Sequence, residues 1–265
     1  MSEKTVDKQN VGEKALNERT NERTNERTNE RTNERLDYGF YNMDCMEGMK
    51  RFPDNYFDLA IVDPVFGDVT QGGYMTHNKG QRIGTGKANQ KGYHAGLWNQ
   101  KKTGDEYFKE LFRVSKNQII WGGNYFTNSL PTSQCWVVWD KLHPEGITFA
   151  DCELAWTSFN KGARVFRFMW NGMLQGDMKN KENRIHPTQK PVVLYEWLIN
   201  RFAQDGDTIL DTHVGSASSL IACRNTNHKY VGFEIDETYY ALAKDRLDRE
   251  SAQMNIFDFI ERTTT

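Results

Sequence analysis

The sequence predicts an α/β fold with a mostly parallel sheet, and three observations carry that prediction. Short apolar runs bounded by turn residues recur from Leu36 onward. Stretches of helical periodicity alternate with the later runs, the order that builds parallel sheets with crossover helices. Near the C-terminus a strand, a turn of small residues, a helix and a second strand ending in an acid follow one another.

Taken in order, the clearest strands are 57–62 (Phe-Asp-Leu-Ala-Ile-Val), 118–121, 135–139, 208–210 and 230–233, each rich in β-branched or aromatic residues. A helix is predicted over 191–203. Its apolar positions Val193, Leu194, Trp197, Leu198 and Phe202 share one face, and Pro191 suits the first turn. A second covers 239–247, with Tyr239, Leu242, Ala243 and Leu247 on one face.

A chain of 265 residues with 37% hydrophobic content can bury a normal core as one sizeable domain. Cys45, Cys135, Cys152 and Cys223 are scattered, with none of the close pairs that metal or redox sites use, so free thiols and no metal are expected. The opening Met1-Ser2-Glu3-Lys4 has no apolar leader, and no run approaches the roughly 18 apolar residues of a membrane span. A cytoplasmic protein with no membrane contact is the expectation. The formal net charge of -2 excludes a global basic field, so any nucleic-acid contact must come from a local patch.

Two segments stand apart. Residues 17–35 repeat Asn-Glu-Arg-Thr with nothing apolar to bury, so 1–35 reads as a disordered or helical tail outside the core. Residues 68–103 are rich in Gly, Asn, Gln and Lys, and carry Lys79, Arg82, Lys87, Lys91, Lys101 and Lys102 among Tyr74, Tyr93 and Trp98. That mixture suits a loop facing a nucleic-acid backbone, and a solvated surface loop is the alternative. A second basic stretch spans 160–184, with Lys161, Arg164, Arg167, Lys179, Lys181 and Arg184.

Asp63-Pro64-Val65-Phe66 follows directly on the apolar run 57–62, where a buried parallel strand emerges at its carboxyl end and reacting groups gather in open α/β sheets. Asp211 closes the strand 208–210, and Thr212 to Ser218 form a turn of small residues opening a helix, which lets backbone approach a ligand. Glu234 ends the next strand about twenty residues on, the placement at which an acid grips a ribose. Together these point to an adenosine-containing cofactor, with a purely structural β-α-β unit as the alternative.

Across about 40–248 the motifs resemble, in order, those of the β-class amino (N6-adenine/N4-cytosine) DNA methyltransferase family. Asn42 to Cys45 with Phe57 to Phe66 is similar to that family's opening block and its D/S-P-P-Y/F catalytic motif. His186-Pro187-Thr188-Gln189-Lys190-Pro191 matches the motif before the cofactor strand, and Asp211 to Ser218 with Tyr230 to Asp236 matches the cofactor block.

The resemblance implies a Rossmann-like S-adenosylmethionine-dependent methyltransferase fold over 36–265, with a variable DNA-recognition region within about 68–184. It implies a site-specific enzyme on double-stranded DNA that flips a base out and methylates its exocyclic amino nitrogen, as in restriction-modification. Asp63 favours adenine N6 within that family; an N4-cytosine enzyme or a catalytically silent DNA-binding relative are the alternatives. Asp63 and the carbonyl of Pro64 would accept hydrogen bonds from the amino group while Phe66 stacks on the base. Asp44 would read the adenine of S-adenosylmethionine and Glu234 its ribose. Asp211, Gly215 and Ser216 would surround its methionine portion, with Thr188, Gln189 and Lys190 near the carboxylate. The amino nitrogen is itself the nucleophile, so Cys45 and Cys223 are expected to be bystanders. A homodimer and a cognate nuclease are the further partners such proteins use. Val65, Phe66, Thr212, His213 and Ala217 depart from the family pattern, and the last three bear on cofactor affinity.

Overall fold

The computed structural model describes residues 34–67, 102–143, 150–171 and 174–264, with side chains described as far as residue 252. Residues 17–33 of the 17–35 repeat and 68–101 of the 68–103 loop lie outside the described residues. Strands β1 (Gly39–Asn42), β2 (Phe57–Val62), β3 (Ser115–Trp121), β4 (Trp136–Asp140), β5 (Cys152–Thr157) and β6 (Arg164–Arg167) come first. The hairpin β7 (Trp170–Asn171) and β8 (Leu174–Gln175) and then β9 (Thr208–Asp211) and β10 (Lys229–Glu234) complete the strands. The helices are α1 (Cys45–Met49), α2 (Asp105–Val114), α3 (Val192–Phe202), α4 (Ser218–Asn225) and α5 (Glu237–Thr264).

Among the described residues the main sheet runs β1-β10-β9-β2-β3-β5-β4-β6. Every neighbouring pair is parallel except β3 with β5 and β5 with β4, so β5 alone runs against the rest. The predicted mostly parallel sheet is therefore present. Its chain order reverses between β9 and β2, the kind of switch point that opens a crevice above the carboxyl ends of the strands.

Both faces of the sheet are covered, which is why its central strands read as continuous apolar runs. Leu59, Ile61, Ile119 and Trp121 pack with Leu194, Leu198 and Ile199 of α3 on one face. Ala60, Val62, Ile120 and Leu210 pack with Phe108 and Leu111 of α2 on the other. The predicted strands and both predicted helices are present with small shifts at their ends, except that α5 continues well past the expected 247 to Thr264. Strands β1, β5 and β6, the β7–β8 hairpin and helices α1 and α2 were not anticipated. Strands β1, β6, β7 and β8 are short, and β5 and β6 carry the charged residues Glu153, Arg164 and Arg167 that blur a strand pattern. Among the described residues no helix is long and apolar enough to cross a membrane.

Candidate active site

The sheet brings four separated acidic positions to one edge. Asp63 follows β2 and Asp211 ends β9. Glu234 ends β10, and Asp44 lies just past β1, where Asn42 sits in register with Glu234. All four strands run the same way, so their carboxyl ends share one rim.

The turn after β9 is tightly built. Gly215 (φ 55°) and Ala217 (φ 63°) both adopt left-handed backbone, a region that costs a side-chain-bearing residue about 1–2 kcal/mol. Ala217, standing where the family pattern has glycine, thus keeps the backbone shape that glycine gives. Its side chain is fully buried among Val214, Leu220 and Ile221, and that packing offsets the cost. The Gly215 amide donates to Glu234 Oε2 (2.9 Å), while Asp236 donates to Oε1 (2.9 Å). Two fixed amides therefore aim the Glu234 carboxylate.

Asp211 is 3% exposed and accepts from the His213 amide (2.9 Å) and from the Ser219 hydroxyl. Among the described residues no ion pair reaches Asp211 or Glu234. Burial pushes the Asp211 carboxyl up to about 7, against the two hydrogen bonds that lower it; burial also raises Glu234. The folded protein thus holds a proton on Asp211 that the unfolded chain releases between about pH 4 and 7. Stability contributed by this group is present below the unfolded value of 3.8 and is lost as pH rises through about 7. Asp211→Asn, which keeps the shape and carries no charge, is expected to melt close to the parent at pH 4 and above it at pH 8. The gain is bounded at about 4 kcal/mol, because each pH unit between the two values is worth about 1.4 kcal/mol. Melting curves of both proteins at the two pH values check this; an equal margin at pH 4 and pH 8 would sink it.

The departures at Thr212 and His213 form a packed unit. Thr212 Oγ1 lies 2.6 Å from the Tyr107 hydroxyl and 2.9 Å from His213 Nδ1, and the His213 and Tyr107 rings meet edge to face at 5.3 Å. Burial lowers His213 to about 4, so it is a neutral aromatic at pH 7. It keeps an aromatic ring at this position, the role a phenylalanine there would have.

The catalytic-motif residues are brought together with the segment 186–190. Pro64 is buried and Phe66 half-buried, its ring stacked on Tyr125 at 4.5 Å and 10°. Asp63 Oδ2 lies 2.5 Å from Lys190 Nζ, and Lys190 also pairs with Glu153 (3.2 Å). Thr188 Oγ1 lies 3.1 Å from His186 Nδ1. The Gln189 side chain accepts from the Ile185 amide (2.8 Å), and its carbonyl accepts from Trp170 Nε1 (2.8 Å). Of Thr188, Gln189 and Lys190, which the resemblance placed near the donor's carboxylate, Gln189 is held by Ile185 and Trp170, and Lys190 by Asp63 and Glu153. Asp44 caps α1, accepting from Met46 N (2.7 Å), and its side chain remains exposed.

Several functional candidates were not legible in the sequence. Tyr125 sits in a Gly-Gly-Asn-Tyr turn just past β3, a strand-end signal that a closer reading could use. Glu153 and Lys141 carry no local signal. Neither does Arg246 on α5, which donates to the Ser216 carbonyl (2.8 Å), Ser218 Oγ (2.9 Å) and Glu182 Oε2 (2.7 Å). Burial raises the Cys45 thiol to about 12 and raises the Cys223 thiol as well, so neither is a thiolate nucleophile near neutral pH. The basic stretch 160–184 does not form one face: Arg167 ends β6 at the active-site rim, whereas Lys161 and Arg164 precede or open that strand at the opposite edge.

A family model described as DNA methylase (N6_N4_Mtase) matches residues 123–245, which run from the Tyr125 turn through the cofactor block into α5. That segment of the chain resembles the amino DNA methyltransferases, and curated Type II methyltransferases are similar to parts of it. Type II methyltransferase M.HpaI of Haemophilus parainfluenzae is 42% identical over 82 residues, 31% of this chain and 25% of that protein. Type II methyltransferase M2.MboI of Moraxella bovis is 23% identical over 241 residues, 79% of this chain and 87% of that protein. The match spans a quarter of M.HpaI and under half (45%) of M2.DpnII of Streptococcus pneumoniae. Among solved structures, the cytosine-N4-specific PvuII DNA methyltransferase superposes with a TM-score of 0.51 at 12% identity, covering 84% of this chain and 93% of that one. The α/β fold of that solved structure is thus the fold of the present chain.

Proposed function

We propose that the protein is a site-specific DNA methyltransferase that transfers a methyl group from S-adenosylmethionine to the N6 amino nitrogen of an adenine flipped out of double-stranded DNA. The observation that carries the reading is the shared rim of Asp63, Asp211 and Glu234. A carboxylate able to accept from an amino group stands beside two buried carboxylates that no cation of the described residues neutralises.

Such a carboxyl-lined pocket fits this donor, whose positive sulfonium and ammonium would favour the ionised carboxylates on binding. Asp211, Gly215 and Ser216 would hold the methionine part, Glu234 the ribose and Asp44 the adenine; Thr188 and Gln189 act from behind by fixing the segment that carries Lys190. When bound, S-adenosylmethionine supplies an electrophilic methyl group. On the acceptor side, Asp63 and the Pro64 carbonyl accept hydrogen bonds from the two amino hydrogens. Drawing both hydrogens to one side of the flat nitrogen exposes its lone pair, and Phe66 stacks on the base to hold the approach line. Adenine rather than cytosine follows from the aspartate at position 63, as it did in the sequence.

The test is incubation of the purified chain with radiolabelled S-adenosylmethionine and unmethylated DNA, followed by mass spectrometry of the nucleosides. N6-methyladenine supports the reading, whereas N4-methylcytosine overturns the base assignment and keeps the mechanism. Absence of transfer with DNA still bound points to a silent relative.

A further inference from the structure

We propose that Lys190 is a positioning residue for Asp63, with Glu153 as the counter-anion that balances it; the catalytic consequence rests on the functional reading above. Four residues of alternating charge run along the rim. Asp63 meets Lys190 at 2.5 Å, Lys190 meets Glu153 at 3.2 Å, and Glu153 meets Lys141 at 2.5 Å. Each cation also lies over an indole, Lys190 above Trp121 (5.3 Å) and Lys141 above Trp139 (5.2 Å), and those two rings meet edge to face at 6.3 Å.

Only 5% of the Lys190 side chain is exposed. An ammonium has three donors and no acceptor, and two carboxylates already engage this one. Its backbone is held as well: Gln189 is pinned from Ile185 and Trp170, and Pro191 caps α3. A buried charge so placed has no alternative partner of equal worth, since leaving Asp63 uncompensated is costly. Lys190 therefore fixes where the Asp63 oxygens sit and favours their ionised, accepting form.

The groups facing Asp63 are Lys190 ahead of α3, Glu153 on β5 and Lys141 just past β4. Asp211 at the end of β9, Tyr107 of α2 and Tyr195 of α3 complete them. Burial and the Glu153 charge push the Asp63 carboxyl up, and Lys190 pulls it down. Removing the cation and removing the counter-anion must then act in opposite senses.

The experiment follows the Asp63 carboxyl by NMR in the full chain labelled with carboxyl-¹³C aspartate, the signal being assigned by its loss in Asp63→Asn. Lys190→Gln is expected to raise the titration midpoint by about one pH unit or more, and Glu153→Gln to lower it. Methyl transfer at saturating donor should lose its acid limb at correspondingly higher and lower pH, while the donor's Kd from calorimetry changes less than about threefold. A tenfold or greater loss of donor affinity in Lys190→Gln with the Asp63 midpoint unmoved would instead make Lys190 a donor ligand and overturn the proposal. Unmoved midpoints in both variants also overturn it. If Lys190→Gln does not fold, Glu153→Gln decides alone: a midpoint that stays or rises refutes the assignment. A parent that transfers no methyl to DNA defeats the functional reading and leaves the carboxyl titration to judge the pair.

Discussion

Asp63→Ala is expected to lower methyl transfer to DNA by about 10²–10³-fold or more, the range measured when one prealigned hydrogen-bonding group is removed from a reacting centre. The argument is geometric. Asp63 emerges from β2, a strand buried on both faces between β9 and β3, so its Cα is fixed by the sheet and its carboxylate by Lys190. The loss should appear in kcat at saturating DNA and donor, because an acceptor that matters only as the nitrogen changes shape contributes in the transition state alone. Donor affinity should change little. Alanine also strands part of the Lys190 charge, so Asp63→Asn serves beside it, retaining one acceptor oxygen and the volume. The asparagine variant is expected to keep the parent's melting temperature within a few degrees and to fall between alanine and parent in rate. Radiolabel transfer with calorimetric donor binding measures both; a rate within tenfold of the parent for the alanine variant removes Asp63 from the reaction.

Arg246→Met is expected to destabilise the fold by about 3 kcal/mol, near the lower end of what breaking a buried ion pair costs. The guanidinium ties three parts of the molecule together: α5, the turn after β9 through the Ser216 carbonyl, and the segment before α3 through Glu182. Glu182 in turn accepts from the Val192 amide (2.8 Å), inside the first turn of α3. Methionine fills comparable volume, so the loss reports the polar network rather than a cavity. Burial already raises the Glu182 carboxyl, and Arg246 opposes that rise. Without the arginine, Glu182 takes up a proton in the folded state at higher pH than in the unfolded chain. Stability of the variant should then fall as pH rises through that interval, making the penalty larger at pH 8 than at pH 5. Adding Glu182→Gln should recover part of the loss and flatten the pH dependence. Urea melts of the parent and both variants at both pH values decide it, and a penalty independent of pH would mean that Glu182 carries no uncompensated charge.

Much of the site was legible because its residues sit where apolar runs stop. The run 57–62 ends at Asp63, 208–210 at Asp211 and 230–233 at Glu234, and the sheet does gather these ends at one rim. The turn after β9 was legible too, although not its tolerance of Ala217: only the coordinates show alanine in left-handed backbone with a buried methyl to compensate. His213 was ambiguous as a letter and became a neutral ring against Tyr107 once α2 was placed.

The amino-acid sequence by itself determined the α/β class, the strand ends that carry the acids and the segments that could hold an adenosine donor. Those features depend on residues near one another in the chain, where periodicity and turn chemistry act. The tertiary structure alone decided that Lys190 faces Asp63, 127 positions away, and that Glu153 and Lys141 stand behind it. It alone decided that Arg246 holds the turn after β9 to Glu182. Partner choice among buried charges is settled by which ones the packed sheet and helices exclude from water together, and no local pattern encodes that exclusion.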